Sequence, residues 1–304
     1  MIEHRGLRPL AVEEDCSELW LVYAACSAVA FGLRGILYQR LSPLPLDRNV
    51  LLSGVFFTGF LISLTLAFLS GQAWEIETAV GIQMGVCSYV ANMAMYRGFA
   101  AGKPSIVAVL SALPPVVVVL VAWLLWGERL NFGQSSAFLL IVAGVVLIRY
   151  ARDFTLAHWN SAKWGLVTML FFGFNDLSSK WSTMLGADLY PVLACMFGTG
   201  TVLFLLSRRS GKRHAAEEQP GGAWTERRTF GVGMLVGLTN VVGMILIVMA
   251  FETGITGLVS AIVALNVLLI LLYTRIVVRE RFTPRETAGI LLTIGGVITL
   301  RLLA

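Results

Sequence analysis

Ten apolar runs, each about twenty residues long, leave this 304-residue chain few options: 19–41, 50–70, 78–99, 104–126, 131–150, 162–184, 188–207, 230–252, 256–277 and 284–302. A helix rises 1.5 Å per residue, so a run of that length crosses a hydrocarbon layer of about 30 Å. Backbone N–H and C=O groups find no water there and must pair within their own segment. The runs are too long for strands and do not alternate with period two, so helices follow. Charged residues make up 13% of the chain, about half the share of a soluble domain, too few to cover a water-exposed surface. The expected fold class is an all-α membrane protein of ten transmembrane helices.

The four cysteines, Cys16, Cys26, Cys87 and Cys195, have no metal-site or disulfide spacing, and the three histidines, His4, His158 and His214, fall outside the apolar runs. No metal and no cofactor is implied. Glu13, Glu14, Asp15 and Glu18 precede the first run, the wrong charge for a cleaved signal, so that run is expected to be a membrane helix. The basic residues sit in short loops and read as a topology signal rather than as a nucleic-acid surface. The one long connection, Ser207 to Thr229, holds Arg208, Arg209, Lys212, Arg213, Pro220, Gly221 and Gly222 and is expected to be a solvated loop.

An internal repeat organises the runs. Shifted by 152 positions, Gly81 and Gly85 fall on Gly233 and Gly237, Gly102 on Gly254, Leu113 on Leu265, Glu128-Arg129 on Glu280-Arg281, Gly144 on Gly296 and Arg149 on Arg301. The first helix of each unit aligns with a different shift, Gly32 on Gly173. The chain then divides into an extramembrane segment 1–18, a first five-helix unit 19–153 and a second unit 154–304 with the basic loop 207–229. Five is odd, so the second unit must enter the membrane from the opposite side. This is an inverted repeat around a central cavity, the architecture of alternating-access transporters. Loops after odd-numbered helices hold most of the basic residues, including Arg40, Arg48, Arg97, Lys103 and the Arg208–Arg213 cluster; the other face holds Arg5, Arg8, Arg129 and Arg301. The charge bias therefore puts the odd loops in the cytoplasm of an inner (plasma) membrane and both termini outside.

The stretch from Met95 to Leu130 resembles the EamA domain of the drug/metabolite transporter superfamily, and the second copy, from Met249 to Phe282, resembles it too. The marks are a small-residue break before the fourth helix, a proline midway along it and a Gly-Glu-Arg ending. The second copy departs from them with Asn266 at the proline position and Arg279 before Glu280. The resemblance covers nearly the whole chain as two tandem domains and implies transport. It leaves the substrate open, because family members export amino acids, purines, nucleotide sugars, drugs and lipid-linked sugars. Several members are drawn with both termini in the cytoplasm, the reverse of the charge count.

Ionisable side chains within membrane helices are costly and usually face a cavity or a partner. Arg34 lies inside the first helix; Asn175, Asp176 and Lys180 lie inside the sixth, where Asn175 aligns with Arg34. Asp176 and Lys180 share a helix face at i,i+4. They read as a substrate site, with Arg34 and Lys180 holding a carboxylate and Asp176 holding an ammonium or a coupling proton. The competing reading makes Asp176 the structural counter-ion of Arg34 or Lys180. Tyr38, Asn92, Tyr96, Asn240 and Asn266 are further cavity candidates. Pro114 and Pro115 should kink the fourth helix as a hinge. The glycine pairs read as helix contacts, and Glu128 and Glu280 as loop-facing ion pairs. The expected partners are the lipid bilayer and a small-molecule substrate, an amino acid or organic anion, with export as the expected direction; nucleic acid is excluded. A proton and a homodimer are the candidate coupling ion and assembly. A translocator of lipid-linked headgroups is the alternative function and a membrane enzyme the remote one.

Overall fold

The computed structural model describes residues 10–100, 104–149, 159–215, 225–279 and 283–303. Twelve α-helices run through them: α1 Leu10–Leu41, α2 Arg48–Ser70, α3 Val80–Ala100, α4 Pro104–Leu110, α5 Pro114–Trp126, α6 Phe132–Arg149, α7 Trp159–Met184, α8 Leu189–Ala215, α9 Glu226–Thr253, α10 Thr256–Val263, α11 Asn266–Tyr273 and α12 Pro284–Leu303. A 3-10 turn, Ile76–Ala79, leads into α3, and a π turn, Thr274–Val278, extends α11. No strand occurs among the described residues.

Among the described residues, six spans are long and apolar enough to cross a membrane: Leu19–Leu41, Arg48–Ser70, Ile106–Trp126, Leu189–Ser207, Glu226–Thr253 and Thr256–Val277. Helix α7 is less apolar for a physical reason. It carries Asn175, Ser178, Ser179 and Ser182, all buried, so its polar side chains turn into the protein rather than towards lipid.

Sequence signals set the helix ends. Asp47 caps α2 by accepting from the N–H groups of Asn49 (2.9 Å) and Val50 (3.3 Å). Helix α6 opens with a reciprocal box in which Asn131 N–H donates to Gln134 Oε1 at 3.0 Å and Gln134 N–H to Asn131 Oδ1 at 2.7 Å. Thr283 and Glu286 build the same box before α12, 152 positions on. Gly127 ends α5 at φ 66°, and Arg279 at the matching position takes φ 62°.

Packing repeats with the sequence. An added Cβ on Gly81 would lie 2.1 Å from Val192 O of α8; on Gly233 it would lie 2.2 Å from Leu51 O of α2. Gly85 meets Met196 O, and Gly237 meets Val55 O, in the same way. Val192 and Met196 stand 141 positions after Leu51 and Val55, so these contacts obey both shifts at once. Gly32 of α1 abuts Asn266 and Leu269, and Gly173 of α7 abuts Pro114 and Val117. The first helix of each unit therefore packs on the broken helix of the other: α1 on α9, α10 and α11, and α7 on α3, α4 and α5. Helices α6 and α12 pair through Gly144, Gly289 and Gly296.

Two expectations change. The prolines do not kink a continuous helix: α4 stops at Leu110, and Pro114 stands at the first position of α5, where a missing N–H costs nothing. The second unit breaks at the same place, between Val263 and Asn266, with no proline. Proline is therefore not required for the break, although in the first unit Pro114 and Pro115 fit the start of the new helix. The expected loop from Ser207 is also shorter, because α8 continues to Ala215 and α9 begins at Glu226.

Candidate functional site

A cavity of about 290 Å³ lies between the two groups of helices. Its lining comes in pairs related by the repeat: Phe31 with Phe172, Arg34 with Asn175, Gly35 with Asp176, Ser88 with Asn240, and Pro114 with Asn266. Matching positions of the two units thus line one cavity.

Arg34 sits on α1 with its guanidinium over the Phe31 ring, 4.5 Å from the centroid, a contact that favours a cation. It donates from Nη1 to Asn240 Oδ1 on α9. The mate of this bond joins the other pair of helices, where Ser88 Oγ of α3 donates to Asn175 Oδ1 of α7 at 2.9 Å. At equivalent places one unit thus supplies a cation and the other a neutral amide.

Asp176 faces the cavity from α7 and accepts from Ser260 Oγ of α10 at 2.6 Å. Among the described residues it pairs with neither Arg34 nor Lys180. The two charges therefore share one cavity, each resting on a neutral partner. A buried ion without a counter-charge is costly unless a ligand completes it.

The remaining candidates divide. Tyr38, Asn92, Asn240, Asn266, Pro114 and Pro115 line the cavity, with Asn92 Nδ2 also bonded to Ser88 O at 2.7 Å. Lys180 and Tyr96 lie outside the lining. Lys180 stands one turn beyond Asp176 and donates from Nζ to the carbonyls of Phe251 (2.7 Å) and Gly254 (3.2 Å) at the end of α9. A cation is favoured at a helix C-terminus. Tyr96 lies under Arg48, whose guanidinium carbon is 4.9 Å from the ring centre.

Among the described residues Glu128 is bonded not to Arg129 but across the bundle. Its carboxylate accepts from Thr256 N–H at 3.0 Å and Thr256 Oγ1 at 2.7 Å, capping the first turn of α10. Glu280 lies outside the described residues. Ser88, Ser260 and Thr256 escaped the sequence reading, because single hydroxyls are common in apolar helices and usually bond their own backbone. A scan for hydroxyls one helical turn from a candidate charge finds none of them, since each reaches its partner across 84 or more positions.

A search among curated proteins returns no match. A solved crystal structure of a protein superposes with a TM-score of 0.74 at 16% identity, covering 94% of this chain and 98% of the other; it shares the fold. The model of the EamA-like transporter family matches residues 18–150 and again 159–302, the two units whose contacts obey the repeat. The chain is a member of the EamA-like transporter family and hence a membrane transporter of the drug/metabolite type.

Proposed function

We propose that the protein is a secondary transporter of a small zwitterionic or anionic metabolite such as an amino acid, bound in the central cavity and moved by alternating access. One observation carries the reading: Arg34 and Asp176 line the same cavity and are not spent on each other. A carboxylate suits the guanidinium fork, which uses one of its five donors on Asn240. An ammonium suits Asp176; for a substrate lacking one, Asp176 takes up a coupling proton. A volume near 290 Å³ stands at the small end of ligand pockets, which run to about 1,000 Å³, and favours a metabolite over a drug-sized molecule.

In this reading ten spans cross the membrane, the fourth and ninth being the broken pairs α4–α5 and α10–α11. Five spans per unit invert the second unit relative to the first, so each packing group walls one side of the cavity. The basic loops face the cytoplasm of the inner membrane, and transport runs outward. Counterflow of radiolabelled amino acids and organic anions in proteoliposomes tests the proposal. Saturable exchange by the native protein, lost in Arg34→Ala, is expected. Absence of exchange for every zwitterion and anion in the panel refutes the substrate class.

A further inference from the structure

Among the described residues, three polar contacts that join the α7 group (α3, α4, α5 and α7) to the α1 group (α1, α9, α10 and α11) follow one another along α7 and α10. Asp176–Ser260 is the first, in the cavity. One turn along α7, Lys180 holds the last carbonyls of α9. Beyond it, Glu128 after α5 holds the first residue of α10. The backbones also close here. Gly257 allows α10 to lie against Val119 of α5, where an added Cβ would come within 2.1 Å of Val119 Cγ2.

Within the repeat, Glu128 has an identical mate in Glu280, which lies outside the described residues, but the groups that the three contacts need beside it are not repeated, so the mates cannot build the same row at the opposite end. Asp176 corresponds to Gly35, Ser260 to Ala108, Lys180 to Gln39 and Thr256 to Pro104. The mates lack the carboxylate, the hydroxyl, the ammonium and the backbone N–H on which the three contacts rest. These three contacts are therefore not repeated by the mates of the residues that make them.

We propose that Asp176–Ser260, Lys180 with the α9 carbonyls, and Glu128–Thr256 form a one-sided latch that holds the α5/α10 end of the transporter shut in the absence of substrate. The inference rests on the alternating-access reading and adds a resting direction to it. The ligand-free protein exposes its cavity towards the end bearing the basic loops, α1–α2 and α8–α9. Arriving cationic substrate groups compete with Ser260 for Asp176 and loosen the latch at its innermost contact. Lys180 and Glu128 act as positioning residues that set the balance between two states without touching substrate.

Spin labels test this on a background with the native cysteines replaced. Leu185→Cys with Glu252→Cys spans the two groups at the latched end; Gln39→Cys with Lys163→Cys spans them at the other. Leu185, Glu252, Gln39 and Lys163 are all exposed. The ligand-free native protein should give one short distance at the latched end. Glu128→Ala or Lys180→Met should each raise the ratio of long to short distances there by about tenfold, the effect of losing one charge-assisted bond. The other pair should shorten in step. Thr256→Val, which keeps the backbone contact, should have a smaller effect and guards against loss of folding in the stronger variants. Substrate exchange in proteoliposomes with unchanged latched-end distances in both variants overturns the latch and leaves the transport reading standing. No exchange and a single distance throughout overturn both.

Discussion

Two glycines in different units should behave as one position. Gly81 lies against Val192 O and Gly233 against Leu51 O, and an added Cβ would come within 2.1 and 2.2 Å of those oxygens. Ordinary contact begins near 3.4 Å. Because the obstacle is backbone, Gly81→Ala or Gly233→Ala must push two helices apart by roughly 1 Å, an overpacking that costs about 1–3 kcal/mol. Alanine's better helix propensity returns about 0.8–1 kcal/mol, for a net loss of up to about 2 kcal/mol in either variant. Gly231 in α9 and Gly295 in α12 have nothing within 4 Å of an added Cβ, so Gly231→Ala and Gly295→Ala collect the propensity gain alone. Thermal unfolding of the purified protein in detergent, followed by tryptophan fluorescence, reads these differences at about 2–4 °C per kcal/mol. The first pair should drop by up to about 8 °C, alike within error and always below the second pair, which should rise by about 2–4 °C. A large loss in Gly231→Ala, or a clear inequality between Gly81→Ala and Gly233→Ala, refutes the twofold packing argument.

Further consequences follow from the site and the turns. Arg34→Lys keeps the charge but not the fork, so the counterflow KM should rise about tenfold or more, measured by substrate titration in proteoliposomes. Asn240→Ala removes the acceptor for a buried cation, and about 1.5–3 kcal/mol of lost stability should appear as a lower Tm. In the transport reading, Asp176→Asn should abolish any acceleration of uptake by an imposed pH gradient; persistence of that acceleration assigns coupling elsewhere. Arg279 holds φ 62° without being glycine, so Arg279→Gly should gain about 1 kcal/mol, seen as a Tm about 2–4 °C higher.

The legible part of the fold rested on two physical constraints that act within short stretches of chain. The rise per residue against bilayer thickness made the apolar runs readable, and closely approaching helices kept glycine where nothing larger fits. Hence Gly81, Gly85, Gly233 and Gly237 marked their contacts in advance. Features that depend on what lies across the bundle were not readable. Lys180 shares a face with Asp176, but one turn of depth moves it from the cavity to the carbonyls of Phe251 and Gly254. Glu128 beside Arg129 suggested an ion pair, yet its partner is Thr256, 128 positions away. Pro114 suggested a kink in a continuous helix, whereas the helix breaks before it, and the second unit breaks before Asn266 without a proline. Arg34 and Asp176 were recognisable from the cost of a charge in an apolar helix; Ser88 and Ser260 became visible only through the groups they contact.

The distribution of identical and differing mates carries the last step. A strictly symmetric pair of inverted units would give its two end states equal energy and could offer a ligand only two copies of one chemistry. Here the identical glycine mates and the functionally equivalent capping boxes, Asn131/Gln134 and Thr283/Glu286, serve packing and helix ends, for which equality of the units is an advantage. The polar cavity mates differ: Arg34 against Asn175, Asp176 against Gly35, Ser260 against Ala108. In the proposed reading, a cation and a carboxylate on opposite walls of the cavity arise only from such departures, and so does a preference for one closed end. The same few differences then suit the cavity to a dipolar ligand and make the two directions unequal, so ligand charge and resting direction should change together when Asp176 or Ser260 is altered.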